Sequence, residues 1–132
     1  MNGVAAARTI LVVDDHAGFR ATARRLLEAD GWDVVGEAAD GASAIEAVAR
    51  LVPDVVLLDI GLPDLDGFSV AERIAARVDG GTPAVVLVSS RERAAYRRRI
   101  EGSPARGFIG KGDLDSVDLR DLLAHGPTDP TS

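Results

Sequence analysis

The chain has no cysteine, which excludes disulfides and thiolate metal centres. No apolar run approaches the ~18 residues needed to cross a bilayer. The opening stretch MNGVAAART lacks the basic and apolar regions of a secretory signal. Lysine is almost missing: of 15 basic side chains 14 are arginine, and the one lysine is Lys111. Basic charge as a whole is outweighed, leaving a net charge of −6. That balance argues against general nucleic-acid binding, which draws on a basic surface. Together these absences lead to the expectation of a cytoplasmic protein with no membrane association and no direct nucleic-acid contact.

What remains is ordinary globular material. The 132 residues are 46% hydrophobic and 27% charged, enough for one domain with a buried core. Five short, β-branched-rich runs stand out: Thr9–Val13, Trp32–Ala38, Asp54–Leu58, Ala84–Val88 and Arg106–Ile109. The first, third and fourth are nearly continuous apolar, as in parallel strands covered on both faces. Between the runs, apolar residues recur at helical spacing. They are Phe19, Ala23, Leu26 and Leu27; then Ile45, Val48 and Ala49; then Val70, Ile74 and Val78. A fourth helix is expected over about 91–101 and a fifth over about 114–124. Asp30-Gly31, Asp40-Gly41 and Gly80-Gly81-Thr82-Pro83 read as turns or loops, and Pro53 opens a strand. Strand–helix alternation implies right-handed βαβ units and a parallel sheet. Five repeats fit a doubly wound sheet of order 2-1-3-4-5. Residues 1–7 are expected to be flexible, 8–124 to form the domain, and 125–132 to be a disordered tail with no second domain after it.

In such a sheet ligands bind at the carboxyl ends of the strands. Strand 1 ends in Asp14-Asp15, strand 3 in Asp59 and strand 4 in Ser89-Ser90; strand 5 ends just before Lys111. Three carboxylates, a hydroxyl and an ammonium therefore converge on one edge. Clustered carboxylates repel one another unless a cation joins them. Mg2+ suits the set, because it binds few carboxylates and keeps positions open for water and phosphate oxygens. A carboxylate is also a possible phosphoryl acceptor, and metal plus ammonium would neutralise the transferring oxygens.

The segments Ile10-Leu-Val-Val-Asp14-Asp15 and Leu57-Leu-Asp59-Ile-Gly-Leu62-Pro63-Asp-Leu-Asp66-Gly67 resemble the receiver domains of two-component response regulators. The resemblance covers roughly residues 8–124. Spacings of 44 residues from Asp15 to Asp59, 30 to Ser89 and 22 more to Lys111 are similar to that family's. It implies a CheY-like, flavodoxin-like (βα)5 fold, apparently stand-alone. It makes Asp59 the phosphoacceptor, gives Asp14, Asp15, Asp59 and the Gly61 carbonyl to Mg2+, makes Ser89 the switch hydroxyl and Lys111 the salt-bridging cation. Phe108 falls where the family's rotating aromatic belongs. The partners implied are a sensor histidine kinase or phosphotransfer protein and a downstream protein target. The target would meet the face made by helix 4, strand 5 and helix 5, with a homodimer as a further option. The chain departs from the pattern at Ser89, where Thr is commoner, and at Gly112, where Pro often follows the lysine.

Plainer readings stand beside these. Asp14 or Asp15 alone could cap a helix. Asp66 is read as a cap of the third helix, and Leu62-Pro63 and Gly67 as loop geometry. His16 is read as starting the first helix in solvent rather than as a metal ligand. Ser89 is favoured over Ser90 by register, Phe108 could be plain core, and Trp32 should pack at the edge of strand 2. Arg91, Arg93, Arg97, Arg98 and Arg99 are read first as a solvated face, and second as a partner surface. The chain is expected to be a phosphorylation switch and not a turnover enzyme. A haloacid-dehalogenase-like phosphatase would want Asp at position 61, where Gly stands. A flavin module would want Ser, Thr and Gly after strand 1, where Asp-Asp-His-Ala-Gly stands.

Overall fold

The computed structural model describes residues 8–77, 83–91 and 93–125, with the side chains of Arg93 and His125 outside the description. Expectations for residues 1–7, Val78, the Gly80–Thr82 loop and residues 126–132 fall outside the described residues. Five parallel strands form one sheet: β1 (Thr9–Val13), β2 (Asp33–Ala38), β3 (Val55–Asp59), β4 (Ala84–Ser89) and β5 (Gly107–Gly110). Their order is β2-β1-β3-β4-β5, as expected. The helices are α1 (Ala17–Ala29), α2 (Gly41–Leu51), α3 (Gly67–Arg77), α4 (Arg97–Glu101) and α5 (Leu119–His125).

Side-chain alternation along the strands sorts the core into two layers. Leu11, Val13, Val56, Leu58, Val85 and Leu87 point one way, onto Ala44, Val48, Val70, Ile74 and Ile100 of α2, α3 and α4. Ile10, Val12, Val55, Leu57, Val86 and Val88 point the other way, onto Ala23 and Leu27 of α1 and Leu119 of α5. Every residue of β3 is buried, which is why that run shows no polar alternation.

Three expectations are corrected. The fifth helix begins at Leu119, not near residue 114. Lys111–Asp113 form a 3-10 turn, and the chain reaches Asp118 before Asp118 Oδ1 accepts from the Arg120 and Asp121 N–H groups. Leu114 and Val117 still pack into the α1 side of the core, but from outside a helix. The fourth helical segment is split into a 3-10 turn, Arg93–Tyr96, and the short α4. Among the described residues its apolar anchors to the core are Tyr96, half-buried, and Ile100. The pair Asp40-Gly41 is a helix start and not a free turn: Asp40 Oδ1 accepts from the Ser43 N–H at 2.8 Å and caps α2. The Asp30-Gly31 turn holds, with Gly31 at φ +90°, a value glycine adopts without a Cβ penalty.

Two expected structural roles are met. Asp66 Oδ1 accepts from the Ser69 N–H at 2.8 Å at the start of α3. Trp32 is buried just before β2, with the Arg120 guanidinium 4.2 Å above its ring.

Candidate functional site

Parallel register carries the polar residues to one edge. Val13 pairs with Leu58, so Asp14 emerges beside Asp59. Asp59 pairs with Val88, and Ser89 with Gly110, so Ser89 and Lys111 follow on the same side. Asp14 and Asp59 are nearly inaccessible, at 0% and 5% exposure, and Ser89 is equally enclosed at 5%. Asp15 stands exposed at the rim, and Ser90 is exposed too, so register gives Ser89 to the site.

Lys111 holds the centre. Its Nζ is 2.6 Å from Asp14 Oδ2 and 3.6 Å from Asp59 Oδ2. The ring of Phe19 on α1 lies under the ammonium, 4.8 Å from Nζ, adding a cation–π attraction. Lys111 is a charged partner of Asp14 Oδ2 at hydrogen-bonding distance. No other partner reaches that buried oxygen, and a carboxylate oxygen carries two lone pairs, so one is left for a further cation.

The Asp59 carboxyl is perturbed by its surroundings. Burial pushes its carboxyl above the ordinary aspartate range. The Gly61 N–H, donating to Oδ1 at 3.2 Å, pulls it back. The Asp14 and Asp15 charges push it up again, and Lys111 opposes them. The net effect is a carboxylate that ionises reluctantly without added positive charge.

The sequence places His16 in solvent, and its side chain is 71% exposed. The ring is nevertheless turned back: Nδ1 lies 3.2 Å from Asp14 Oδ1 and 3.1 Å from Asp15 Oδ1. One donor atom each from Asp14, Asp15, His16 and Asp59 lie within 4.8 Å of one another. Hard carboxylate oxygens around an incompletely paired buried oxygen fit a divalent cation.

Other contacts frame the site and were not legible beforehand. Arg20 of α1 donates from Nη1 to the Asp14 carbonyl at 2.6 Å and from Nε to Glu37 at 3.1 Å. It thereby ties α1 and β2 to the end of β1. Asp64, in the loop after β3, accepts from the Gly41 and Ala42 N–H groups at 2.7 and 3.0 Å. Those bonds, that from Gly41 first, hold its carboxyl below the usual range. Gly67 presses α3 against the end of β3, where a Cβ would lie 2.6 Å from the Asp59 carbonyl oxygen. Its N–H donates to the Ile60 carbonyl at 2.8 Å. The expected loop-geometry role of Gly67 thus has a steric cause. Phe108, half-buried, packs against the α2–α4 layer. Arg99 lies over the Phe68 ring and pairs with Asp66, while Arg91, Arg97 and Arg98 are exposed.

Known proteins match this chain in sequence and fold. Residues 10–124 match the family described as the response regulator receiver domain. A putative transcriptional regulator of Pseudomonas aeruginosa is 36% identical over 103 residues, 77% of this chain and 48% of that protein. A protein-glutamate methylesterase/protein-glutamine glutaminase of Myxococcus xanthus is 48% identical over 82 residues, 61% of this chain and 23% of that one. The chain therefore spans about half the length, or less, of these curated relatives. Among solved structures, the receiver domain of the putative response regulator NarL from Mycobacterium tuberculosis superposes with a TM-score of 0.71 at 34% identity, covering 90% of this chain and 92% of that one. The response regulator domain of Thermotoga maritima CheB gives 0.70 at 31%, covering 90% of each chain. Among the described residues no helix is long and apolar enough to cross a membrane. By sequence, fold and strand-end chemistry, this chain belongs to the response regulator receiver domains of two-component signalling.

Proposed function

We propose that Asp59 accepts a phosphoryl group from a histidine kinase or phosphotransfer protein, with Mg2+ held by Asp14, Asp15, Asp59 and the Gly61 carbonyl. The observation that carries this reading is the pairing of a reluctant, buried Asp59 carboxylate with Lys111 Nζ 3.6 Å away. A carboxylate oxygen of Asp59 attacks phosphorus as the P–N bond of the phosphohistidine donor breaks. The bonding pair returns to the imidazole nitrogen, and an acyl phosphate forms. Water attacking phosphorus later releases inorganic phosphate and restores Asp59. The transferring group carries its negative charge on equatorial oxygens, and catalysis consists mainly of positioning and charge neutralisation. When bound, the ion supplies such charge at those oxygens. Lys111 supplies a second positive charge, and its link to Asp14 is the one it would exchange for a phosphoryl oxygen.

The switch follows from Ser89. Its Oγ accepts from the Arg91 N–H at 3.0 Å, which ties the hydroxyl to the chain leading into α4. A phosphoryl group on Asp59 offers new acceptor oxygens. If Ser89 turns to donate to them, its bond to Arg91 is exchanged and the following segment is re-biased. The short α4, held by Tyr96 and Ile100, is a suitable two-state element. Phe108 on the adjoining strand would follow the space that Ser89 vacates. The readout surface would be α4, β5 and α5, where exposed Arg97 and Arg98 suit an acidic protein target. We assign the domain to residues 8–124, acting in the cytoplasm as a switch and not as a turnover enzyme, with a homodimer as one output state. Incubation with acetyl phosphate and Mg2+ should add one phosphate, and Asp59→Asn should abolish it. Undiminished labelling of that variant, mapped elsewhere, overturns the assignment.

A further inference from the structure

We propose that His16 supplies a nitrogen donor to the divalent-ion site and thereby shifts its relative affinity from Mg2+ toward Mn2+ and Co2+. The inference rests on the reading of Asp14, Asp15 and Asp59 as metal ligands and adds a donor to it.

Spacing is the first argument. Ligand atoms bound at ~2.1 Å to an octahedral ion are about 3.0 Å apart when adjacent and about 4.2 Å apart when opposite. His16 Nδ1 lies 3.2 Å from Asp14 Oδ1 and 3.1 Å from Asp15 Oδ1. It therefore already stands at adjacent-ligand distance from two carboxylates. The four donors lie within 4.8 Å of one another, a span close to a single coordination sphere.

Local backbone is the second argument. His16 is the residue before α1, extended at φ −97° and ψ 113°, where a side chain commonly caps the helix. Its ring makes no capping bond. Its backbone N–H instead donates to Asp14 Oδ1 at 2.8 Å, which fixes the main chain so that the ring folds over the carboxylates. The ring is left with the acidic cluster as its neighbour. A third argument is independent of His16: the buried Asp14 Oδ2 has Lys111 alone as its partner, which leaves a lone pair for a cation.

Donor chemistry then decides the ion. Carboxylates alone suit Mg2+, Ca2+ and Mn2+, whereas an imidazole shifts preference along the first-row series, and Co2+ lies above Mn2+ in that order. Replacing one oxygen donor by nitrogen should weaken the relative claim of Mg2+, which keeps to oxygen.

The competing arrangement is a ring N–H donating to the two carboxylates, since 3.1–3.2 Å also fits a hydrogen bond. The experiment separates the two. The full chain at pH 8, where a ligating imidazole must be deprotonated, is loaded with Mn2+ and studied by pulsed electron paramagnetic resonance. A 14N coupling that becomes a 15N coupling on isotope labelling of histidine, and vanishes in His16→Ala, is the expected result. Calorimetric titration with Co2+ and Mg2+ should show the Co2+/Mg2+ affinity ratio falling at least ~10-fold in His16→Ala. The spectrum of the wild-type chain stands even where the variant folds poorly. An unchanged ratio with no nitrogen coupling overturns the inference and leaves the carboxylate site intact. Failure of wild type to bind any of the three ions overturns the parent reading as well.

Discussion

Replacing Asp59 by asparagine should stabilise the metal-free protein at neutral pH, although it removes the proposed functional group. Asp59 faces Asp14 and Asp15 at no more than 4.8 Å between their donor atoms, and Lys111 at 3.6 Å. At an effective dielectric of ~20, a unit-charge pair at 4–5 Å is worth about 3–4 kcal/mol. Two repulsions of that size outweigh one attraction of about 4–5 kcal/mol, though the exposed Asp15 counts for less. Burial of the carboxylate adds a further cost. The substituted amide keeps an oxygen that can accept the Gly61 N–H. The net gain expected is about 1–2 kcal/mol, within the usual span of single substitutions. The sign with pH follows from the raised carboxyl of Asp59. The folded protein holds this proton more tightly than the unfolded chain does. Stability from this group is therefore greatest at low pH and is lost as pH rises from about 4 through the folded value. Wild type and Asp59→Asn should converge in acid and diverge toward pH 7. Urea unfolding in EDTA at pH 4 and pH 7 measures both. Millimolar Mg2+ should then raise wild type alone, by about 2.7 kcal/mol at a hundredfold excess over Kd. An asparagine variant that is less stable than wild type at pH 7, or whose advantage is the same at both pH values, refutes the electrostatic reasoning.

Gly67→Ala should destabilise by about 2 kcal/mol, because its Cβ meets backbone at 2.6 Å and backbone cannot yield as a side chain does; chemical denaturation reads this. Val52 sits in the left-handed region at φ 48° with its side chain exposed, so Val52→Gly should gain about 1 kcal/mol in the same assay. Asp64→Ala should speed hydrogen exchange at the Gly41 and Ala42 amides while leaving the Ser43 amide, which Asp40 caps, protected. Glu37 is held below its usual range chiefly by Arg24; its contribution is present at neutral pH and lost as pH falls through the folded value, so Glu37→Gln should flatten that acid limb of a thermal-melt series.

Parts of the architecture were legible for definite reasons. β1, β3 and β4 are covered on both faces, so their apolar runs are unbroken and their boundaries fall within a residue or so of expectation. Their ends then place Asp14, Asp59 and Ser89 by register alone. The sequence pattern starts the fifth helix too early because Leu114, Val117, Leu119 and Leu122 all bury apolar surface. A 3-10 turn continued by a hydrogen-bonded turn can bury residues at those intervals as well as a helix can. Asp118 carried the missing signal, a capping carboxylate immediately before the true start. The split of the fourth segment had no such marker, since its arginines obscure the two anchors, Tyr96 and Ile100.

What the chain could not disclose is mainly contact across long sequence separation. Asp64 binds amides 23 and 22 residues away, and Phe19 lies under Lys111 across most of the fold. The turn of His16 depends on a backbone angle that composition does not encode. Lys111 lies between these two classes. Its isolation among arginines was visible, but the reason becomes physical only with the geometry. The ammonium sits over Phe19, 2.6 Å from one carboxylate oxygen and 3.6 Å from another. A compact point charge on a flexible stem can serve both oxygens and move between them, whereas a planar guanidinium seeks two parallel bonds to one partner. An arginine here would lock onto Asp14 and leave Asp59 underserved, so the position selects lysine for its mobility as well as its charge.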